Sequence, residues 1–290
     1  MTIQDALERA KQMHRTREAS ARAPVERPSV ASDAEMDSPA ITRGEPRVQP
    51  PPVRYPGLER VAFDHEACKQ RRVLLTDEQL GEMGHAAAAY RQLRSRVLHR
   101  MRGSNWSCIG ITSSGPGEGK TLTAVNLAIS IAREKQRDVY LLDLDMRNPS
   151  VFESVGVKPP RSIAEYFVGS VPVEQVLFAT EVERLMLAGS HDSVRNASEL
   201  LASPRLDELL AYIRRRAPEA VILIDLPPII STDEALVVAP RVDAMFMVVC
   251  QGKTRREGLA RAINLLGDFT LAGMILNRST EALGGDYYSY

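Results

Sequence analysis

Short apolar segments recur along the chain from about residue 76, and stretches with helical periodicity separate most of them. The apolar runs are WSCIGITSS, DVYLLDLD, RLMLAG, AVILIDLPP, DAMFMVVC and LAGMILN. The stretches between them, such as KTLTAVNLAISIAREK, repeat apolar residues with a 3.6-residue period. Nearly continuous apolar strands that alternate with helices are typical of a sheet covered on both faces. The pattern therefore predicts an α/β fold with a mostly parallel sheet between two layers of helices.

The chain before these runs has a different composition. Residues 24–56 hold eight of the 18 prolines and few large apolar residues, which predicts a disordered linker. Ahead of it, residues 3–13 have helical apolar spacing among basic residues, which fits either a short amphipathic helix or a frayed polar end. We therefore predict an N-terminal extension over 1–75, an α/β domain over 76–283 and a tyrosine-rich C-terminal tail over 284–290.

Charge and cysteine content narrow the class of protein. Lys plus Arg and Asp plus Glu number 37 each, so no overall field favours a nucleic acid partner. Cys68, Cys108 and Cys250 are far apart without metal-ligand spacing, which predicts free buried thiols in a reducing cytosol. No apolar run reaches 18 residues and the start lacks a signal-peptide core, so we expect a soluble cytoplasmic protein.

A glycine-rich segment, TSSGPGEGKT, follows the first of these strands and opens directly into a helix. It matches the pattern G-x-x-x-x-G-K-[ST] except that Ser114 stands at the first glycine. The glycines allow a tight turn whose backbone N–H groups point at an anion, and the helix adds its positive N-terminal end. Lys120 can reach the β- and γ-phosphates, and the Thr121 hydroxyl can bind Mg²⁺. The α/β domain over 76–283 is therefore predicted to be P-loop NTPase-like. The predicted nucleotide-binding residues here are Gly115, Pro116, Gly117, Glu118, Gly119, Lys120, Thr121 and Leu122.

Three aspartates stand at the ends of two predicted strands. Asp143 and Asp145 end VYLLDLD with a period-2 spacing that directs both side chains to one face, and Asp225 ends VILID. A strand-end aspartate can also be only a helix cap or turn former. Beside a P-loop, we interpret Asp225 as the carboxylate that holds Mg²⁺ through water. Asp143 and Asp145 would then complete the metal shell and orient or deprotonate an attacking hydroxyl.

The segments SSGPGEGKT, LLDLDMR and LIDLPP, together with the terminal GGDYYSY, resemble the bacterial tyrosine kinases of capsule and exopolysaccharide assembly. The resemblance extends from about residue 85 to the end and includes NASELL, where Ala197 replaces the family's proline. It implies an ATP-dependent protein-tyrosine kinase that uses Mg²⁺ and regulates polysaccharide polymerisation or export. It also implies the catalytic residues Lys120, Thr121, Asp143, Asp145 and Asp225, and autophosphorylation of Tyr287, Tyr288 and Tyr290.

The resemblance further implies a homo-oligomer. The family's contact helix carries Glu-x-x-Arg-x-x-Arg, and here AAYRQLR retains Arg91 and Arg94 but has Ala88 in place of the glutamate. An arginine–carboxylate contact between subunits would lose its acidic half. We therefore expect either other contacts in a ring-shaped assembly or no ring.

Two partners follow from the same resemblance. Because no membrane span is predicted, a separate membrane-embedded polysaccharide co-polymerase would have to activate the chain. It would hold the chain at the inner face of the cell membrane. A tyrosine phosphatase would reverse the modification.

Weaker signals and rival interpretations remain. Asn277 and Arg278 end the last strand and either approach adenine or form a turn, and Arg147 either contacts phosphate, nucleotide or a neighbour or lies on the surface. A positioning ATPase of the partition type would need an extra lysine where Gly115 stands. A third interpretation is a nucleotide-binding scaffold that phosphorylates nothing.

Overall fold

A computed structural model of the chain describes residues 57–75 and 84–280. The predicted N-terminal helix, the proline-rich linker and the three tail tyrosines lie outside these residues. Besides the strands and α-helices described below, the described residues contain two short 3-10 helices, Val173–Gln175 and Ala239–Arg241.

The strands in the described residues are β1 Glu59–Val61, β2 Cys108–Ser113, β3 Val139–Asp143, β4 Phe178–Thr180, β5 Leu185–Ala188, β6 Val221–Asp225, β7 Ala244–Cys250 and β8 Leu271–Asn277. These eight strands form one sheet in the order β1-β4-β5-β3-β6-β2-β7-β8. All neighbouring strands are parallel except β4 and β5. The six predicted apolar runs correspond to β2, β3, β5, β6, β7 and β8, which confirms the predicted fold class.

The helices in the described ranges are α1 His65–Gln70, α2 Gly84–Ser104, α3 Lys120–Ala132, α4 Val151–Ser154, α5 Ile163–Phe167, α6 Ala197–Ala202, α7 Arg205–Arg216, α8 Glu234–Val238 and α9 Arg256–Leu266. They pack on both faces of the sheet: one core cluster lies between the sheet and α1 to α4, and the other between the sheet and α5 to α9. Eleven of the 13 residues of α3 are buried, because the sheet covers one side of this helix and other parts of the chain cover its outer side. No helix in the described ranges is long and apolar enough to cross a membrane.

Residues 57–75 pack with the sheet, whereas the sequence analysis assigned them to the N-terminal extension. Strand β1 pairs with β4, and Val61, Phe63 and Val73 join the core on the α3 side. The Asp64 amide donates to the carbonyl of Val155 just after α4, at 3.0 Å. Strand β1 has only three residues, two of them charged, so its sequence carries no apolar run. The structured part of the chain consequently begins before residue 76.

The three cysteines are free and buried, as predicted. Burial raises the pKa of the Cys68 thiol to about 11 and that of Cys108 to about 12. Both thiols are therefore protonated and poorly nucleophilic at neutral pH.

We predict that Gly110→Ala destabilises the protein by about 1–3 kcal/mol, because the added methyl group overpacks the core. Gly110 lies in β2, where a Cβ atom would stand 2.3 Å from Met245 Sδ and 3.0 Å from Leu226 Cδ1. Gly103→Ala is the matched control, since no atom of the described residues outside the adjoining backbone of α2 lies within 4 Å of its Cβ position. That change should be neutral or stabilising. Urea unfolding of both variants tests this, and equal effects would contradict it.

Candidate active site

The carboxyl ends of the central parallel strands bring the candidate residues together. Strand β6 lies between β3 and β2, and its last residue, Asp225, is in register with Asp143 on one side and Ile111 on the other. The loop that follows β2 therefore begins beside both strand-end aspartates. This edge of a parallel sheet is where α/β proteins bind ligands.

The glycine-rich loop is closed by one of its own side chains. Glu118 is buried, and its carboxylate accepts hydrogen bonds from the Ser114 amide at 2.9 Å and the Ser114 hydroxyl at 2.8 Å. Gly117 and Gly119 have φ angles of 69° and 94°, in the left-handed region that favours glycine. Ser114 thus has a structural role at the position where the motif has its first glycine, because its hydroxyl and amide bind Glu118.

The remaining loop residues surround this closed turn. Pro116 and Gly117 are exposed at its tip, Gly115 and Gly119 are half-buried, and Leu122 is half-buried in the first turn of α3.

Lys120 and Thr121 begin α3 and point at the aspartates. The Lys120 ammonium lies 2.8 Å from Asp145 Oδ2 and 3.3 Å from Asp225 Oδ2. The Thr121 hydroxyl donates to Asp225 Oδ2 at 2.5 Å and accepts from the Ser150 hydroxyl at 3.0 Å. Burial lowers the pKa of Lys120, but the carboxylates of Asp225 and Asp145 outweigh this effect and raise that pKa above its usual range. Lys120 therefore remains charged and holds the two strand ends together.

Asp143 is fully buried and binds the start of α4. Its Oδ2 atom accepts hydrogen bonds from the Ser150 and Val151 amides, at 2.8 and 2.9 Å. Burial and the neighbouring Asp225 carboxylate raise the pKa of Asp143 to about 8, against the effect of these amides. Burial also raises the pKa of Asp225. The site concentrates more negative charge than Lys120 alone neutralises.

This donor set fits Mg²⁺. The described residues contain no group of three or more carboxylate, histidine or cysteine side chains arranged as a metal cage. Mg²⁺ does not require such a cage, because it binds one or two carboxylates together with water and substrate phosphates. The Asp143 and Asp225 carboxylates and the Thr121 hydroxyl are hard oxygen donors, and a cation beside them would relieve the repulsion between the two buried aspartates.

Asn277 contacts the glycine-rich loop directly. Its side-chain amide donates to the Glu118 carbonyl at 3.0 Å. The same amide nitrogen lies so close to Gly119 that a Cβ atom there would clash with it. The Arg278 amide donates to Asn277 Oδ1 at 2.8 Å, which fixes the end of β8. Asn277 thus contacts the loop backbone, and Arg278 contacts Asn277. The approach of these two residues to adenine stays a prediction.

Sequence reasoning missed a turn that joins β7 to the loop. The Thr254 hydroxyl donates to Glu118 Oε1 at 2.7 Å, and Lys253 Nζ lies close to Gly117. Both belong to CQGKT, a polar turn without a recognised motif, so only the strand order reveals that it borders the loop.

Comparisons with known proteins agree with this geometry. A family model named ParA, described as an NUBPL iron-transfer P-loop NTPase, matches residues 106–280, more than half of the chain. Tyrosine-protein kinase YwqD of Bacillus subtilis is 30% identical over 203 residues, which cover 69% of this chain and 84% of YwqD. The chain belongs to the tyrosine-protein kinases, within the P-loop NTPases.

Two further similarities support this placement of the kinase. Tyrosine-protein kinase CpsD of Streptococcus pneumoniae is 29% identical over 186 residues, which cover 62% of this chain and 79% of CpsD. The crystal structure of the VpsO kinase domain superposes with a TM-score of 0.61 at 27% identity, covering 69% of this chain and 98% of that domain.

Arg94 of the kinase makes contacts within its own chain. Its side chain donates to the Ser130 carbonyl at 3.0 Å and forms an ion pair of 2.8 Å with Glu134. Arg91 is exposed on the same helix, α2. Of the two arginines predicted to lie at subunit contacts, Arg91 is the more accessible.

Arg147 forms an ion pair with Glu234, the first residue of α8. The Glu234 carboxylate is buried, and its Oε2 atom has no hydrogen-bond partner in the described part of the chain. This pair links the segment after β3 to the segment after β6. Arg147 is exposed, in agreement with the prediction of a surface arginine, and its contact with Glu234 was not predicted; a contact with phosphate, nucleotide or a neighbour stays a prediction.

In buffer without nucleotide or divalent metal, the kinase should lose stability as the pH rises from about 6 to 8. The pKa of Asp143 rises from its ordinary value of 3.8 to about 8 in the fold. Unfolding therefore releases a proton in this range, and stability falls until the folded carboxyl group ionises. Thermal unfolding at stepped pH should show a weaker slope for Asp143→Asn. Asp268→Asn, at an exposed aspartate, is the control, and identical slopes would contradict the assignment.

Arg147→Ala should destabilise the kinase more than Glu234→Gln does. Removing the arginine leaves a buried carboxylate without its counter-ion, whereas removing the charge of Glu234 leaves a partly exposed arginine that water can solvate. The double variant should recover part of the loss caused by Arg147→Ala. Guanidinium unfolding measures all three, and a double variant less stable than either single one would contradict this explanation.

Proposed function

We propose that the kinase transfers the terminal phosphate of ATP to tyrosines of its own C-terminal tail, Tyr287, Tyr288 and Tyr290, and thereby regulates capsule or exopolysaccharide polymerisation or export. One observation carries the proposal. A lysine and a threonine at the start of a helix converge with three strand-end aspartates directly after a glycine-rich loop. A kinase needs these groups, since phosphoryl transfer depends on positioning and on charge stabilisation.

Each residue has a proposed role. Backbone N–H groups of the loop from Gly115 to Leu122 bind the ATP phosphates, and Lys120 exchanges its carboxylate partners for phosphate oxygens. Thr121, Asp143 and Asp225 would hold Mg²⁺, which would supply positive charge beside the phosphates. Asp145 and Asp143 orient the attacking tyrosine hydroxyl and accept its proton. Asn277 and Arg278 lie at the adenine.

The tail is the proposed substrate because of its sequence. Gly284 and Gly285 precede the tyrosines, and the conformational freedom of glycine suits a tail sequence that must reach the active site of a neighbouring subunit. Each phosphate would add a charge of about −1.5 to −2, and three would oppose docking at an acidic site. Phosphorylation would thereby disperse a homo-oligomer in which Arg91 contacts the neighbour and Arg94 contributes after rearranging.

The proposed setting is the cytoplasmic face of the cell membrane. A membrane-embedded polysaccharide co-polymerase would bring the kinase there and activate it, and a tyrosine phosphatase would reset the tail. The balance of 37 basic and 37 acidic residues supports a protein partner over nucleic acid.

The test uses the terminal peptide. Trypsin cleavage after Arg278 releases residues 279–290, which contain all three tail tyrosines. Purified chain, dephosphorylated and then incubated with Mg²⁺ and ATP, should yield this peptide carrying phosphate on tyrosine by mass spectrometry. Lys120→Ala should yield it bare, because the phosphates lose their main cation. A bare peptide from the active chain, with ATP consumed, would contradict the proposal and leave an ATPase.

A mixing experiment tests transfer between subunits. A Lys120→Ala chain with an intact tail is incubated with a chain that has an intact site and phenylalanine at all three tail positions. Phosphate on the intact tail would demonstrate transfer in trans, and its absence would limit the kinase to its own tail.

A further inference from the structure

The turn after β7 is held rigidly against the glycine-rich loop. The Lys253 and Thr254 amides both donate to the Cys250 carbonyl, at 3.1 and 2.9 Å, and Gly252 takes a φ of 74° to close the turn. The Cys250 amide donates to the Thr254 hydroxyl at 2.8 Å. That hydroxyl in turn donates to Glu118, so one threonine shapes the turn and joins it to the loop.

This arrangement places an ammonium group at the middle of the loop. A Cβ atom built on Gly117 would stand 2.5 Å from Lys253 Nζ. Gly117 is exposed at the tip of the loop, so the Lys253 ammonium lies on the solvent-accessible side of the loop. Lys253 therefore lies beside the part of the loop whose backbone N–H groups would bind phosphate.

Lys253 and Lys120 differ in their surroundings. The Lys120 ammonium is buried between Asp145 and Asp225. Lys253 is exposed, and among residues 57–75 and 84–280 no carboxylate oxygen lies within 4.0 Å of its ammonium. A cation held beside an anion-binding loop attracts an anion by direct Coulomb interaction.

We propose that Lys253 is a second phosphate-binding lysine of this site, contributed by the same chain and directed at the polyphosphate of the bound nucleotide. The proposal rests on the proposed binding of ATP at the loop. In partition-type ATPases an extra lysine would stand at position 115 and reach across a dimer, but this chain has glycine there. Here the second cation comes from the turn after β7, so one chain contains both lysines.

Calorimetric titration of the full chain tests this with two probes, ATP and inorganic triphosphate, each with Mg²⁺. Lys253→Gln should weaken the binding of both about tenfold, the loss expected for one charge-assisted hydrogen bond. Lys253→Arg should retain most of the affinity. Lys135→Gln is the matched control, since it removes one exposed lysine charge beyond the far end of α3. Equal unfolding temperatures without ligand would show that the variants fold.

The outcomes separate this inference from the proposed function. Normal binding of both probes by Lys253→Gln would overturn the inference and leave ATP binding intact. Weaker binding of ATP with unchanged binding of triphosphate would also overturn it, because the ammonium would then contact sugar or base. A wild-type chain that binds neither probe would overturn both proposals.

Discussion

The close approach of two buried carboxyl groups is the constraint on which the active site depends. The parallel register of β3 and β6 sets Asp143 directly beside Asp225 in a place that water does not reach. Desolvation makes such charges costly unless cations and hydrogen bonds compensate them. The Lys120 ammonium, the Thr121 hydroxyl and the amides at the start of α4 supply that compensation. The helix after the loop and the segment after β3 are therefore both anchored at one point.

The same arrangement bears on the proposed binding of nucleotide and metal. Lys120 is engaged with carboxylates, so in the proposed function its move to phosphate would be favoured by another positive charge beside the aspartates. Mg²⁺ is suited to that exchange because it binds carboxylate and phosphate oxygens at once. Phosphate and metal would then bind with positive coupling, each favouring the state that the other requires.

Side-chain pattern alone predicts the fold class that the structure confirms, and the structure brings the candidate site residues together, although their functional roles stay predictions. Six apolar strands, the glycine-rich loop and the strand-end aspartates have local signatures. Strand β1 has none, since three residues with two charges reveal no burial. The contacts of Thr254 and Lys253 with the loop depend on β7 lying next to β2, which is a long-range property of the sheet. The pairing of Arg147 with Glu234 likewise joins positions 87 residues apart.

Helix α4 connects the active site by hydrogen bonds to the segment that carries β1 and α1. Its first amides bind Asp143, and the carbonyl of Val155, just after it, accepts from the Asp64 amide next to α1. With only four residues, α4 leaves little backbone between the amides that bind Asp143 and the carbonyl that binds Asp64. The same short helix therefore ties the end of β3 to the segment that carries β1 and α1. Loss of the Asp143 carboxylate would remove a support of that segment as well as a group of the site.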